Sequence, residues 1–351
     1  MFKPLQAVQV LFMTKILIPG KLFLAGEYAI THPGNTALIA TTKTGLSVEI
    51  ESAAQTSVIH SNTITTDWHF NITETAIVST DDWRYVRAAV NIMQAYTTTN
   101  QFKPLSNINV NITSNLNSPF GKIGLGSSAA VVVGIVEAIN AQFNLKLPIL
   151  TRFKLASLAH LHVQKNGSLG DIAAIMYGGV IAYQSPDLSS FRQNDENWLR
   201  PSLANKIWPK LHIAQLPWPP KWQLLLGATL ESADTKSALE HFILSKQFIT
   251  ESQQIVQNLI HTIAQEDYPQ LALGLRRNQE LLQNSLPTGY ITPKLAHLLE
   301  SLTNIAGKIS GAGFGDNGFA VLQNNAEQLE SVWQRYQIVA QPIIISPQKR
   351  G

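Results

Sequence analysis

Residues 121–139 read GKIGLGSSAAVVVGIVEAI, a glycine- and serine-rich loop that runs directly into a helix of small and β-branched residues. Glycines let a backbone come close to a ligand, and Ser127 and Ser128 supply hydroxyls. The helix, expected from Ala129 to about Phe143, turns its free N–H groups and the positive end of its dipole toward the loop. The segment is an anion site by construction. Two plainer readings stand beside it. In one, Ser127 or Ser128 caps the helix and the glycines only make a turn. In the other, GLGSSA is a dinucleotide fingerprint, which wants an acidic residue about 20 positions further on for the ribose. No Asp or Glu lies between Glu137 and Asp171.

On the N-terminal side, residues 16–18 read as a strand running into a Pro-Gly turn, and 46–50, 56–60 and 68–72 as further strands. Residues 83–96 have helical spacing and 108–112 alternate as a strand does. Arg84 and Arg87 are expected as solvated charges on that helix, and Trp83 and Tyr85 as packing residues. On the C-terminal side, Pro148 suits the start of a helix, a second loop reads NGSLGD at 166–171, and a short helix and a strand at 179–184 follow. Residues 185–221 are rich in Pro, Trp and polar residues and read as the passage between domains, with the boundary near Pro201. Beyond it come a strand at 222–228, helices over 239–263, 268–285 and 293–305, and KISGAGFGDNGFAVL, which reads as strand, glycine loop, strand. The expected domains are 13–200 and 201–351. Residues 1–12 are expected to be an extension or a misassigned start, with Met13, just before the first strong strand, rather than Met1 as the expected native start.

With 351 residues, two domains follow from a prior of about 150 residues each. Apolar residues make up 45%, yet no run reaches the roughly 18 needed for a membrane span. The charged fraction is 14% and the net charge +3, with no Lys/Arg cluster, which argues against a nucleic-acid surface. The absence of cysteine excludes disulfide scaffolds, thiolate metal sites and cysteine nucleophiles. The nine histidines are scattered without zinc-site spacing. A soluble, cytoplasmic protein, monomer or homodimer, is expected, with no nucleic acid or membrane as partner.

The segment GAGFGDNGFAVL at 311–322 also contains G-x-G-x-x-G, but the residues after it read as a strand, whereas a dinucleotide loop opens a helix. It gains meaning beside IPGKLFLAGEYAI at 18–30. PGKLFLAGEYA, GLGSSAA and SGAGFGDNGFA, in that order, resemble the three signature motifs of the GHMP kinases, over a stretch from about Thr14 to the C-terminus. The resemblance implies an α+β, two-domain GHMP kinase fold: a ribosomal protein S5 domain 2-like N-terminal domain, a ferredoxin-like C-terminal domain and an active site between them. No Walker A pattern occurs, so phosphate binding rests on the 121–128 loop.

Within the family, GEYA at 26–29, Lys122 ahead of GLGSS, and NGSLGDIAA followed by YGGVIAYQSPD resemble the phosphomevalonate kinases. GATLESADTKSAL at 227–239 resembles their GWTGxxAST loop, with Ala228 for Trp and Asp234 for Ser. Mevalonate kinases carry a magnesium-binding glutamate eleven residues before the catalytic aspartate; here His160 stands there. The implied reaction is transfer of the γ-phosphoryl group of ATP to 5-phosphomevalonate, with Mg²⁺ as cofactor.

By resemblance Lys21 and Asp171 are catalytic, while Lys122, Gly124, Leu125, Gly126, Ser127, Ser128 and Ala129 bind ATP, Ser128 also holding the metal. Glu27, Tyr28, Ser168, Thr235, Ser310, Gly311 and Gly313 face the acceptor. An acceptor phosphate has its second pKa near 6 and is largely dianionic at pH 7. Asp171 is therefore expected chiefly to orient Lys21 and the acceptor, with Lys21 stabilising the transferring group. The plainer roles are a helix cap for Asp171 and a surface lysine for Lys21. Competing functions are a GHMP kinase with an alcohol acceptor such as mevalonate or homoserine, mevalonate diphosphate decarboxylase, and a non-catalytic sensor on the same fold.

Overall fold

The structure, a computed structural model, describes residues 13–72, 81–118, 121–122, 124–192, 197–231, 243–324 and 326–349. Its spine is β2 (Thr36–Ser52), whose run of Thr, Val, Ile, Leu and Ala suits a long, mostly buried strand. Along one edge lies β1 (Thr14–Ala25), antiparallel over nearly its whole length. The opposite edge is shared by β8 (Val180–Gln184), paired with residues 36–40, and β5 (Ile108–Ser114), paired with residues 46–52. On the β5 side the sheet continues through β3 (Ser57–Ser61) to β4 (Ile64–Phe70), and on the β8 side it ends at β9 (His212–Leu216). Two-residue strands β6 (Asn117–Ser118) and β7 (Gly121–Lys122) pair just ahead of the anion loop.

The expected Pro-Gly turn at 19–20 is absent. β1 passes straight through it with a register shift, Pro19 opposite Gly45 and Gly20 opposite Thr42. A bulge suits this pair: proline has no N–H for the ladder, and a Cβ on Gly20 would lie 2.9 Å from Thr42 Oγ1 and 3.1 Å from Leu125 Cβ. The strand therefore carries on to Lys21, beside the anion loop.

Helices α1 (Arg84–Thr99), α2 (Ser127–Gln142), α3 (Ile149–Gln164) and α4 (Gly170–Tyr177) accompany this sheet. α2 packs against β1, β2, α1 and α3, which is why its residues are apolar on almost every face. Pro148 occupies the N-cap of α3. On α1, Trp83 packs into the core as expected, but Arg87 is no solvated charge: it pairs with Asp81 at 2.7 Å and lies 4.2 Å from the centre of the Trp68 ring.

The second sheet has the order β11 (Ala306–Ser310), β12 (Asn317–Leu322), β10 (Gln223–Ala228), β13 (Val339–Ile343), all antiparallel. With α5 (Lys246–Gln265), α6 (Tyr268–Ser285) and α7 (Pro293–Ser301) between β10 and β11, and α8 (Glu327–Arg335) before β13, this is the ferredoxin-like plan. Ser245 caps α5 through Phe248 N at 3.0 Å, and Asp267 caps α6 through Gln270 N at 3.1 Å. The helix expected over 239–263 begins at Lys246, with 239–242 outside the described residues, and that expected over 293–305 ends at Ser301. Because β9 joins the first sheet, the passage from one sheet to the other falls at 217–222, beyond Pro201.

After β13 the chain returns to the first sheet. Ile345 bridges to Thr42, the Ser346 and Thr41 hydroxyls are 2.6 Å apart, and Lys349 N donates to Tyr177 O at 2.8 Å, at the end of α4. Among the described residues no helix is long and apolar enough to cross a membrane.

In the second domain, Leu298 and Trp333 are fully buried against β10 and β12, where a Cβ on Gly227 or Gly318 would come within 2.6 Å of Leu298. Leu298→Ala is expected to cost about 2–5 kcal/mol, the range for opening a cavity of that size, measured as a lowered urea midpoint at unchanged slope.

Candidate active site

The anion loop is fastened to β1 by a backbone bond from Lys21 N to Leu125 O at 3.0 Å. Above it the Lys21 stem crosses Gly126, where a Cβ would meet Lys21 Cγ at 2.9 Å; with φ at +83°, the position excludes a side chain twice over. Gly126 is the N-cap of α2, and no side chain caps that helix. The reading of the serines as plain caps is thereby set aside. The first N–H groups of α2 stay available for an anion, with Ser127 and Ser128 in the first turn. Ser128 Oγ lies 3.4 Å from His160 Nε2.

Asp171 is likewise not a cap. The N-cap of α4 is Leu169, in the left-handed region, and Asp171 sits in the first turn with Oδ2 3.7 Å from Lys21 Nζ. The Lys21 ammonium also lies 5.3 Å from the centre of the Phe23 ring. From the second domain, the glycine loop after β11 brings Asp316 to the same place. A Cβ on Gly124 would fall 2.4 Å from Asp316 Oδ1, and Thr229 Oγ1 holds the Asp316 carbonyl at 2.8 Å.

Burial pushes the Asp316 carboxyl above the usual carboxylate range; Lys21 pulls it down and Asp171 pushes it further up. Burial also holds the His160 imidazole below its ordinary value, against the pull of Asp171, so the ring is neutral at pH 7. It stacks on Tyr85 at 5.4 Å, and the Tyr85 hydroxyl donates to Gln164 Oε1 at 2.5 Å. The site thus brings together Lys21, Asp171, Asp316 and the neutral ring of His160.

These side chains border a cavity of about 390 Å³ between the domains, lined among others by Lys21, Glu27, Tyr28, Ser128, His160, Ser168, Asp171, Gly311 and Asp316. Glu27 forms a buried ion pair with Lys308 of β11 at 2.6 Å, and the Tyr28 hydroxyl donates to Ala312 O at 2.5 Å. Burial, and after it the charges of Glu27 and Asp316, raise the Tyr28 phenol well above its ordinary value, so it keeps its proton and can donate at neutral pH. Tyr28 has φ 63° and ψ −55°, and Ala29 N donates to Glu27 O at 2.7 Å. This is the strained hand of the γ-turn, a conformation costing about 1–3 kcal/mol.

Other expected residues stand apart from the lining. Leu125 and Ala129 are buried in the core. Ser310 spends its hydroxyl on Phe23 O at 2.7 Å, tying β11 to β1, and Gly313 faces the Tyr290 ring, which a Cβ would meet at 2.3 Å. Thr235 and the side chain of Lys122 lie outside the described residues. Two residues escaped the sequence reading. Asp316 carried a signal, an acidic residue closing a glycine loop; Lys308 carried none, being one lysine in an ordinary strand.

Residues 84–179 match the family model of the GHMP kinases N terminal domain, and residues 259–338 that of the GHMP kinases C terminal. A phosphomevalonate kinase of Streptomyces sp. strain CL190 is 30% identical over 361 aligned positions, covering 95% of this chain and 96% of the relative. Among solved structures, a Lin0012 protein from Listeria innocua matches with a TM-score of 0.86 and 28% identity, covering 96% of this chain and 99% of that one. A Streptococcus pneumoniae phosphomevalonate kinase, in complex with phosphomevalonate and AMPPNP, matches with a TM-score of 0.82 and 26% identity, covering 95% and 100%.

Because the native Asp316 carboxyl has a raised pKa, the folded protein holds that proton more tightly than the unfolded chain, and the group's contribution to stability falls as pH rises through that pKa. Asp316→Asn should therefore raise the thermal midpoint near pH 7, with the gap closing toward the ordinary carboxylate pKa of about 4. Thermal melts across that range check it; a midpoint lowered at pH 7 would contradict the assignment.

Proposed function

The chain belongs to the GHMP kinases, and we propose, on that footing, that it is a phosphotransferase converting 5-phosphomevalonate to mevalonate 5-diphosphate at the expense of ATP. The observation that carries the chemistry is Lys21. Its backbone N–H fixes the anion loop while its ammonium reaches Asp171 across the cavity, so one residue links the nucleotide side to the acceptor side.

Phosphoryl transfer is mostly positioning and charge neutralisation. The triphosphate would lie along the loop from Gly124 to Ser128 and over the start of α2, with Lys21 facing the group in transit. Asp171 holds the Lys21 ammonium and the acceptor in place, since a phosphate dianion needs no base to become a nucleophile. A neutral His160 adds no negative charge where a second phosphate has to approach. The Glu27–Tyr28 turn and residues Gly311 and Ala312 border the other end of the cavity and are assigned to the body of the acceptor.

Among the described residues no cluster of three or more His, Asp or Glu could hold a metal by itself. That suits an ion arriving with the nucleotide, which keeps waters and phosphate oxygens and takes one or two protein oxygens. Ser128, Asp171 and Asp316 offer such oxygens. Mg²⁺ bound there would supply neutralisation of the β- and γ-phosphates. The substrates are small water-soluble anions, and the reaction is assigned to the cytoplasm.

Purified protein with Mg·ATP, offered mevalonate, 5-phosphomevalonate, mevalonate diphosphate and homoserine in parallel, should release ADP with 5-phosphomevalonate. Release with mevalonate and not with its phosphate would overturn the acceptor assignment. Lys21→Met is expected to lower kcat by about 10²–10³, the loss typical of removing one transition-state donor. Asp171→Asn should lower it by about 10², the loss that misplacing the reacting groups can cause, and a near-normal kcat would leave Asp171 no catalytic part.

A further inference from the structure

One wall of the cavity is held by charges that the mechanism leaves unused. Lys308 is fully buried, pairs with Glu27 Oε1 at 2.6 Å and donates also to the carbonyl of Ile309. Glu27 is 4% exposed, borders the cavity and leaves Oε2 without a partner among the described residues. The pair runs from the second sheet to the turn that follows β1, and so joins the two domains. Two apolar side chains of similar volume would join them with no desolvation cost, so stability alone gives no reason for charges here. Orientation does.

What the pair orients is the next residue. Tyr28 sits at the centre of a strained γ-turn, a conformation that persists only where its surroundings over-determine it. Two constraints hold it. Before the turn, Lys308 fixes the Glu27 side chain; after it, the Tyr28 hydroxyl is fixed on Ala312 O. Glu27, Tyr28 and Ala312 all border the cavity, and the Ser310–Phe23 bond pins β11 to β1 alongside them.

We propose that Lys308 is a positioning residue for the acceptor half of the cavity: it holds Glu27, Glu27 sets the turn at Tyr28, and Tyr28 sets the glycine loop at 311–313. Lys308 itself touches neither substrate. This rests on the acceptor reading given above.

Steady-state kinetics with 5-phosphomevalonate, binding of AMPPNP and thermal melts on Lys308→Met, Tyr28→Phe and the double variant test it. Lys308→Met should raise the acceptor KM at least tenfold and leave AMPPNP affinity within about twofold. Tyr28→Phe should raise the same KM by a smaller factor. Since both act on one turn, the double variant should be no worse than Lys308→Met alone. Should Lys308→Met not fold, because it leaves the Glu27 charge unpaired, Lys308→Gln keeps a donor for Glu27 and is expected to show the same KM effect in weaker form. An acceptor KM unchanged in the folded Lys308 variant, with only the melting point lowered, overturns the proposal. So do effects of Tyr28→Phe and Lys308→Met that simply multiply. Wild-type protein that refuses 5-phosphomevalonate would overturn the acceptor reading, and this inference with it; wild-type activity with unaltered variants sinks this inference alone.

Discussion

The hydrogen bond from Lys21 N to Leu125 O is the contact on which the site depends. It forms because β1 does not end at Pro19-Gly20: the bulge absorbs a proline that has no ladder N–H and lets the strand run five residues further, to Ala25. From there Lys21 lies over Gly126, α2 starts with its first N–H groups uncapped, and Asp171 can reach the ammonium. The placement of the glycine-serine loop and the pairing of Lys21 with Asp171 are consequences of one strand continuing where it might have turned.

The second domain contributes by facing this arrangement. Its glycine loop brings Asp316 against Gly124, and its buried Lys308 takes Glu27, so the cavity walls are partly charged groups paired across the domain boundary. Burial then sets their protonation in opposite senses: the Asp316 carboxyl is raised, the Lys308 ammonium is lowered with Glu27 opposing, and His160 stays neutral. A site of this kind is held under tension. Among the described residues three acidic side chains, Glu27, Asp171 and Asp316, border the cavity with one lysine, Lys21, and Tyr28 stands in a costly backbone conformation. Strain of this kind persists only where the surrounding structure over-determines it.

Much of this was legible in the chain. The glycines and serines at 124–128 depend on local backbone chemistry, and the three motifs in their order pointed to the family, whose resemblance implied both domain types. Boundaries were less legible. Pro-Gly at 19–20 is a turn signal in isolation and a bulge only when β2 lies beside it. Pro201 sits in a Pro- and Trp-rich stretch that resembles a linker, yet β9 beyond it pairs with β8.

The sequence by itself determined that a helix begins at a glycine- and serine-rich loop, that two α+β domains follow one another, and that the chain carries no cysteine. Each follows from residue type and short spacing. Only the tertiary structure decided that Ser127 and Ser128 are no caps, that Asp316 meets Lys21's cavity from about 300 residues away, and that Lys308 is an interior cation. Those are facts of burial and of which charges face each other across two domains, and neither has a signature in the residues next to them in the chain.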